Sequence, residues 1–410
     1  MRKKYDYVIV GLQPWYTSIG SNCKNIAAEL SKTNRVLYIN APLDRRTILK
    51  RKNDTNIAHH YEVTRGKRSP VEQIGPNFWV YSPESILESL NWIPLTPVFE
   101  RFNLINNRRF AHDIEKAVKA VGFGEYILFN DNELFRTFYL KKLLKPALYI
   151  YYCRDYLRSI DYWQKHGDTV EPKHIRLADV ATANSLYLYE YLRKHNRNSY
   201  YIGQGCDTAL FDGKKTYARP ADMQKISRPV IGYVGVLTSL RLDVDCIVKI
   251  AKTCKAYDVV LVGPEDEVFE QSELHKLPNV HFLGKKPLSE LPAYMKAFDV
   301  CINPQLVNEL TIGNYPLKID EYLNMGKPVV ATKTLTMELF KDHVYLAKTP
   351  DEYPGMIREA LETDTAEKQQ ARIGFASQHT WENSVQELYK AIETTLGETN
   401  QNPSAVFSNT

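Results

Sequence analysis

The chain is poor in the features that mark membrane, secreted and metal-bound proteins. No stretch approaches the about 18 apolar residues that span a bilayer. Six cysteines, at 23, 153, 206, 246, 254 and 301, include no C-x-x-C pair, so a cytoplasmic protein with reduced thiols is expected. The opening MRKKYDYVIVGLQPW is basic and then apolar. Its apolar run is short, carries Asp6 and meets no small-residue cleavage site, so it reads as a first buried strand rather than a signal peptide. Only Gly11 follows that strand where a dinucleotide enzyme would place G-x-G-x-x-G, which disfavours an oxidoreductase. His59-His60 has no partner at metal-ligand spacing and reads as a solvated pair. No nucleic-acid module appears.

What is present is a globular composition, with 44% hydrophobic and 25% charged residues in 410. The net charge of +5 hides an asymmetry. Residues 1–200 hold 31 basic and 20 acidic side chains, and 201–410 hold 22 and 28. A basic front half on an acidic back half suggests two units with different partners. Eight of the cations (Arg45, Arg46, Lys50, Arg51, Lys52, Arg65, Lys67 and Arg68) fall within 45–68, against Asp54 and Glu62. That segment reads as a solvated loop or as a surface for anionic lipid or a phosphorylated acceptor.

A βα rhythm runs through both halves. Strand patterns at 5–12, 35–40, 126–130, 147–153, 179–184 and 199–205 alternate with helical ones around 25–30, 133–144 and 185–195. After a Pro- and charge-rich stretch the rhythm restarts with strands at 229–235, 258–263, 279–284, 299–304 and 328–332. Helices at 243–256, 288–297, 316–325 and 380–396 accompany them. Such alternation predicts an α/β fold of two doubly wound, Rossmann-like domains facing a cleft. The expected division is 1–205, a linker 206–228, a second domain 229–378, a closing helix 379–396 and a polar tail 397–410.

The richest segment is 303–332, NPQLVNELTIGNYPLKIDEYLNMGKPVVAT. A strand ends at Pro304, and Pro316 is placed to open a helix capped by Asn314 or Tyr315. A helix start at the C-terminal edge of a parallel sheet is where anions bind. Lys318 adds a full charge for a diphosphate, and Glu321 can accept hydrogen bonds from a diol such as ribose. Alternatively the two form an i,i+3 surface pair.

In the first half, Asp155 in YYCRDY follows a strand and reads as a general base for an acceptor hydroxyl or as a helix cap. Asp131 is its reserve. Trp15 offers a flat face on which a ring could stack, or else anchors its loop in the core, and Gly20 allows close approach. Asp243 and Asp245 mimic a metal-binding D-x-D but open a helix, where the dipole favours acids.

The string NELT…YPLKIDEYLNMGKPVV resembles the donor-site signature of GT-B glycosyltransferases, of the large group-one type found in bacterial cell-envelope synthesis. VIVGLQPWYTSIGSNCKNIAAEL, YYCRDY, ADVATANS, GQGCDTALF, GYVGV and TWENSVQELYKAI resemble further segments of that family, in order along nearly the whole chain. The resemblance implies a sugar transferred from a nucleotide sugar, UDP before GDP, to a saccharide or polyprenyl-diphosphate-linked acceptor. It places Glu321 on the ribose, Lys318 on the diphosphate, Glu309 and Thr311 near phosphates or donor sugar, and Gly235 under the phosphates with Arg241 as a second cation. No metal and no cofactor beyond the donor is expected, and the enzyme would work in the cytoplasm, at the inner face of the membrane. Many retaining members place two glutamates eight apart. Here Gly313 stands eight before Glu321 and Glu309 twelve before, so stereochemistry does not follow. A nucleotide-sugar epimerase on the same fold and a catalytically silent sugar- or lipid-binding partner are the rival expectations.

Overall fold

The structure, a computed structural model, describes residues 5–17, 20–50, 54–226 and 229–401. Arg51, Lys52 and the tail beyond 401 lie outside them. The chain divides into two compact units, Met1–Gly203 with Ser384–Thr410, and Gln204–Asn383.

In the first unit, eight strands form one sheet: β1 (Asp6–Val10), β2 (Val36–Ile39), β3 (Val71–Gly75), β4 (Phe78–Tyr81), β5 (Tyr126–Asp131), β6 (Leu148–Cys153), β7 (Val180–Ala183) and β8 (Ser199–Tyr201). Their order is β3-β4-β2-β1-β5-β6-β7-β8. All pairs are parallel except the β3–β4 hairpin at the edge. Strands such as VLYI and LYIYYC are buried on both faces, as a helix-covered parallel sheet requires. The helix Thr96–Ala120 lays Phe99, Phe110, Ile114 and Ala117 into the core. The closing helix Trp381–Gln401 runs past the expected end at 396. From it, Tyr389 accepts a hydrogen bond from Asn34 at 2.6 Å, and Thr395 meets the Tyr200 hydroxyl at 3.2 Å.

The second unit has six parallel strands: β9 (Val230–Val234), β10 (Asp258–Val262), β11 (Val280–Phe282), β12 (Val300–Asn303), β13 (Val329–Thr332) and β14 (Tyr345–Ala347). The order β11-β10-β9-β12-β13-β14 is that of a dinucleotide-type fold. The segment expected as a linker packs into this unit, with Phe211, Met223 and Ile226 in its core.

Three local expectations are corrected. Residues 133–139 are not helical, and only Leu140–Leu144 is. The Glu133 carboxylate accepts the N–H groups of Phe135 (3.0 Å) and Arg136 (3.2 Å) and closes a turn instead. Segment 45–68 is not a loop but carries helices Arg45–Lys50 and Thr55–Thr64. His60 in it is buried, with Nε2 2.9 Å from the Pro83 carbonyl, and burial lowers its pKa. All six cysteines are buried and unpaired.

Candidate functional site

Each sheet has a point where the strand order reverses beside its first strand, between β1 and β5 and between β9 and β12. Crevices at the C-terminal strand ends form there.

In the second unit, β9 runs into Gly235 at φ +146° and β10 into Gly263 at φ +155°. A Cβ on Gly263 would stand 1.8 Å from the Gly235 carbonyl oxygen, and one on Gly235 would stand 2.9 Å from the Lys318 amine. Both positions therefore favour glycine for backbone angle, and Gly263 requires it for space as well. Lys318 is the first residue of the helix Lys318–Asn324, so this helix starts two residues later than expected. Leu317 precedes it with no side-chain cap, because Tyr315 turns inward to donate to Asp320 at 2.7 Å. Asp320 also holds His379 Nδ1 at 2.6 Å. The Tyr322 hydroxyl accepts the Val234 N–H at 2.9 Å, which ties the helix to the end of β9.

The Lys318 ammonium donates to the Tyr233 hydroxyl and lies 4.2 Å from the centroid of that ring. No carboxylate among the described residues forms an ion pair with it. The i,i+3 pair with Glu321 is not formed, and the Glu321 carboxylate has no hydrogen-bond or ion-pair partner among the described residues. Burial pushes the Glu321 carboxyl up to about 7; Lys318 opposes that, and Asp320 and Asp207 add to it. Two charges one helical turn apart are thus left for something else to satisfy.

Two loops border them. Leu306 N–H donates to the Arg241 carbonyl at 2.9 Å and the Asn308 amide to the Leu240 carbonyl at 3.2 Å, so the loops after β9 and β12 are laced together. The Arg241 side chain is exposed, without an ion pair among the described residues, and Glu309 is exposed on the facing loop. Thr311 departs from expectation. It is fully buried, with its hydroxyl donating to the Leu306 carbonyl and accepting the Asn308 N–H at 3.1 Å. It shapes the loop and is not presented to a ligand. Asp243 caps the helix Val244–Thr253 through the Cys246 N–H at 2.9 Å.

In the first unit, the end of β5 is fully wired. Asp131 accepts the Leu12 N–H at 3.0 Å and Arg154 Nε at 2.7 Å. Both its oxygens are taken, so it is not a free base. Arg154 reaches on to Asp155 at 2.6 Å. Asn132, at φ +54°, accepts the N–H groups of Arg154 and Asp155, each at 2.9 Å, and donates to the Tyr151 hydroxyl at 3.2 Å. Tyr151 in turn donates to buried Glu171 at 2.8 Å. Asp155 itself is 34% exposed and caps nothing, since Tyr156 precedes the short turn Leu157–Ser159.

Trp15 follows its anchoring reading. Its ring meets Phe78 at 4.6 Å and Tyr38 at 5.1 Å edge-on, and its backbone N–H donates to the Asn40 side chain at 2.7 Å. Gly20 is exposed with open space where a Cβ would go.

Residues 228–363 match the family described as glycosyl transferases group 1. The matched residues lie within the second unit. A putative teichuronic acid biosynthesis glycosyltransferase, TuaH of Bacillus subtilis strain 168, is 30% identical over 194 residues, 45% of this chain and 48% of its own length. The chain thus matches about half of that curated relative. HepE of Anabaena in complex with UDP superposes with a TM-score of 0.64 at 16% identity, covering 96% of this chain and 100% of the other. The trehalose-phosphate synthase of Burkholderia vietnamiensis gives 0.65 at 12% identity, covering 95% and 96%. The fold is that of the GT-B glycosyltransferases. In this domain, sequence reasoning had named Gly235, Lys318 and Glu321 but missed Tyr233, which holds the lysine, and Gly263, which lets two strand ends close together. A glycine ending DVVLVG was the available signal for the second; nothing local signalled the first.

Proposed function

We propose that the chain transfers a sugar from a nucleotide sugar, a UDP-sugar before a GDP-sugar, to a saccharide or polyprenyl-diphosphate-linked acceptor in cell-envelope polysaccharide synthesis. The observation that carries this is the unneutralised Lys318, held by Tyr233 over Gly235 at the β9–β12 switch point. On this reading Lys318 and the exposed Arg241 take the diphosphate, Glu321 the ribose hydroxyls, and Glu309 borders the donor sugar. An acceptor oxygen attacks the anomeric carbon as the bond to the diphosphate breaks, and Asp155 receives the proton or orients the hydroxyl. Fixed cations aimed at the developing charge are the electrostatic catalysis such a reaction requires. No cofactor beyond the donor enters this reading. The cations of 45–68, in the basic half, would lie toward the acceptor side and an anionic membrane.

The HepE structures, in complex with UDP and with UDP-glucose, support uridine as the donor nucleoside. The TuaH likeness supports a cell-wall polysaccharide as the product. Calorimetric titration with UDP, GDP and UDP-glucose tests the donor side. UDP should bind, and Lys318→Met should weaken it roughly 30- to 100-fold, the loss of one charge-assisted contact. UDP affinity unchanged in that variant would remove the assignment.

A further inference from the structure

Most large apolar side chains left on the surface are scattered, but five gather in the first unit on the start of the helix Thr96–Ala120 and the turn before it. Trp92 is 75% exposed and Leu95 63%, and Val98, Phe102 and Ile105 follow at helical spacing on the outward face. Leu90, Ile93 and Pro94 join them to line a shallow apolar groove. An exposed apolar patch of this kind marks an interaction surface.

The charges around it say what covers it. Glu88 is already paired with Arg45 at 2.8 Å and Arg109 at 3.2 Å, and Glu100 with Lys173 at 2.7 Å. Arg46, Arg101 and Arg108 are exposed and have no ion pair among the described residues. Against them stands Asp161, exposed at the start of the helix Asp161–Leu177. Arg101 lies inside the apolar stripe, three residues after Val98 and four before Ile105. A second copy of the chain docking here by a two-fold axis would bring these cations against themselves. A bilayer offers phosphates at the same depth as the guanidinium groups and acyl chains just below.

We propose that Trp92, Leu95, Val98, Phe102 and Ile105 form a membrane-docking face that enters the headgroup–acyl boundary of an anionic bilayer, with Arg46, Arg101 and Arg108 on lipid phosphates. The exposed indole suits that boundary. This deepens the proposed function and rests on it only for the lipid-linked acceptor. It differs from attraction by the 45–68 cluster in requiring apolar insertion.

The test is sedimentation of the full chain with phosphatidylcholine vesicles, with and without about one third phosphatidylglycerol. Tryptophan fluorescence with brominated acyl chains is read in parallel. Anionic vesicles should bind and quench the wild type. Trp92→Ser with Phe102→Ser should weaken binding at least about tenfold through lost apolar burial and abolish most of the quenching, with thermal stability and UDP affinity unchanged. Arg101→Gln with Arg108→Gln should reduce binding to anionic but not to neutral vesicles. No vesicle binding by the wild type, equal binding by wild type and the Trp92/Phe102 variant, or a dimer in light scattering that this variant abolishes would each overturn the proposal. Vesicle binding without UDP binding would sustain this face and defeat the donor assignment instead.

Discussion

At the end of β5, Arg154 is held between Asp131 and Asp155, and Asn132 fixes the backbone that carries them. At the end of β9, Lys318 has a phenol for its partner and the Glu321 carboxylate has none among the described residues. Both places lie at the C-terminal edge of a parallel sheet where the strand order reverses. One has spent its charges on its own architecture, and the other has kept them unspent. A buried guanidinium between two carboxylates is stable as it stands. A lysine and a glutamate one turn apart, unpaired, stay poorly satisfied until a ligand supplies an anion and a diol. On the proposed reading the second arrangement is the one that gains from a nucleotide, and the first holds a shape that leaves Asp155 partly exposed.

The largest expected effect breaks the wired side. Asp131→Asn leaves the mostly buried Arg154 with half its compensation, and should lower unfolding stability by about 3 kcal/mol. Thermal or urea unfolding checks it, and UDP affinity should not move. A variant as stable as the wild type would show that the two switch points do not differ in this way.

The next effect is on the open side. Because the Glu321 carboxyl sits near 7 in the fold and at 4.5 in its ordinary state, folding favours its protonated form. Its stabilising contribution is therefore complete below about pH 4.5 and is lost as pH rises through about 7. Ribose hydroxyls donate better to the ionised carboxylate, so UDP-glucose should bind about tenfold tighter at about pH 8 than at about pH 6. Glu321→Gln should flatten that dependence and relieve the loss of stability above neutrality. UDP-glucose is the suitable probe because its diphosphate, esterified at both ends, does not titrate there. Equal pH profiles in wild type and variant would place the ribose elsewhere.

The same contrast explains what could be read in advance. Most parallel strands were legible because they are short apolar runs, many buried on both faces, as in VIV of β1 or VVLV of β10; the partly exposed β14 was not. Residues 70–125 were not. β3 is mostly exposed, and the long helix Thr96–Ala120 turns Asn103, Asn106 and Asn107 inward, which breaks the apolar period. Those amides bond to the carbonyls of Phe135 and Glu88 at 2.7–3.0 Å, partners no local pattern reveals. Lys318 and Glu321 were legible because their relation is local, one helical turn. Tyr233, which holds the lysine, lies 85 residues away. Asp155 was named from its place after a strand, but the hold that Arg154 has on it becomes visible only once Asp131 and Asn132, at the end of β5, are brought beside it.

Thr311 gives the smallest and most discriminating test, because a hydroxyl reads identically in sequence whether it faces a phosphate or its own loop. Here it faces the loop, spanning from the Leu306 carbonyl to the Asn308 N–H, while the Asn308 side chain accepts the Thr311 N–H at 3.0 Å. Thr311→Val keeps the volume and removes the hydroxyl. It leaves buried polar groups unmet and should cost about 1 kcal/mol, a fall of about 2–4 °C for a unit of this size. UDP affinity should change less than about threefold, the little that a slackened loop beside Arg241 would cause. Thr311→Ser keeps the hydroxyl and should restore most of the loss. If instead valine left the melting temperature alone and reduced UDP binding, the hydroxyl would belong to the ligand, and the open side of the comparison would gain a third group.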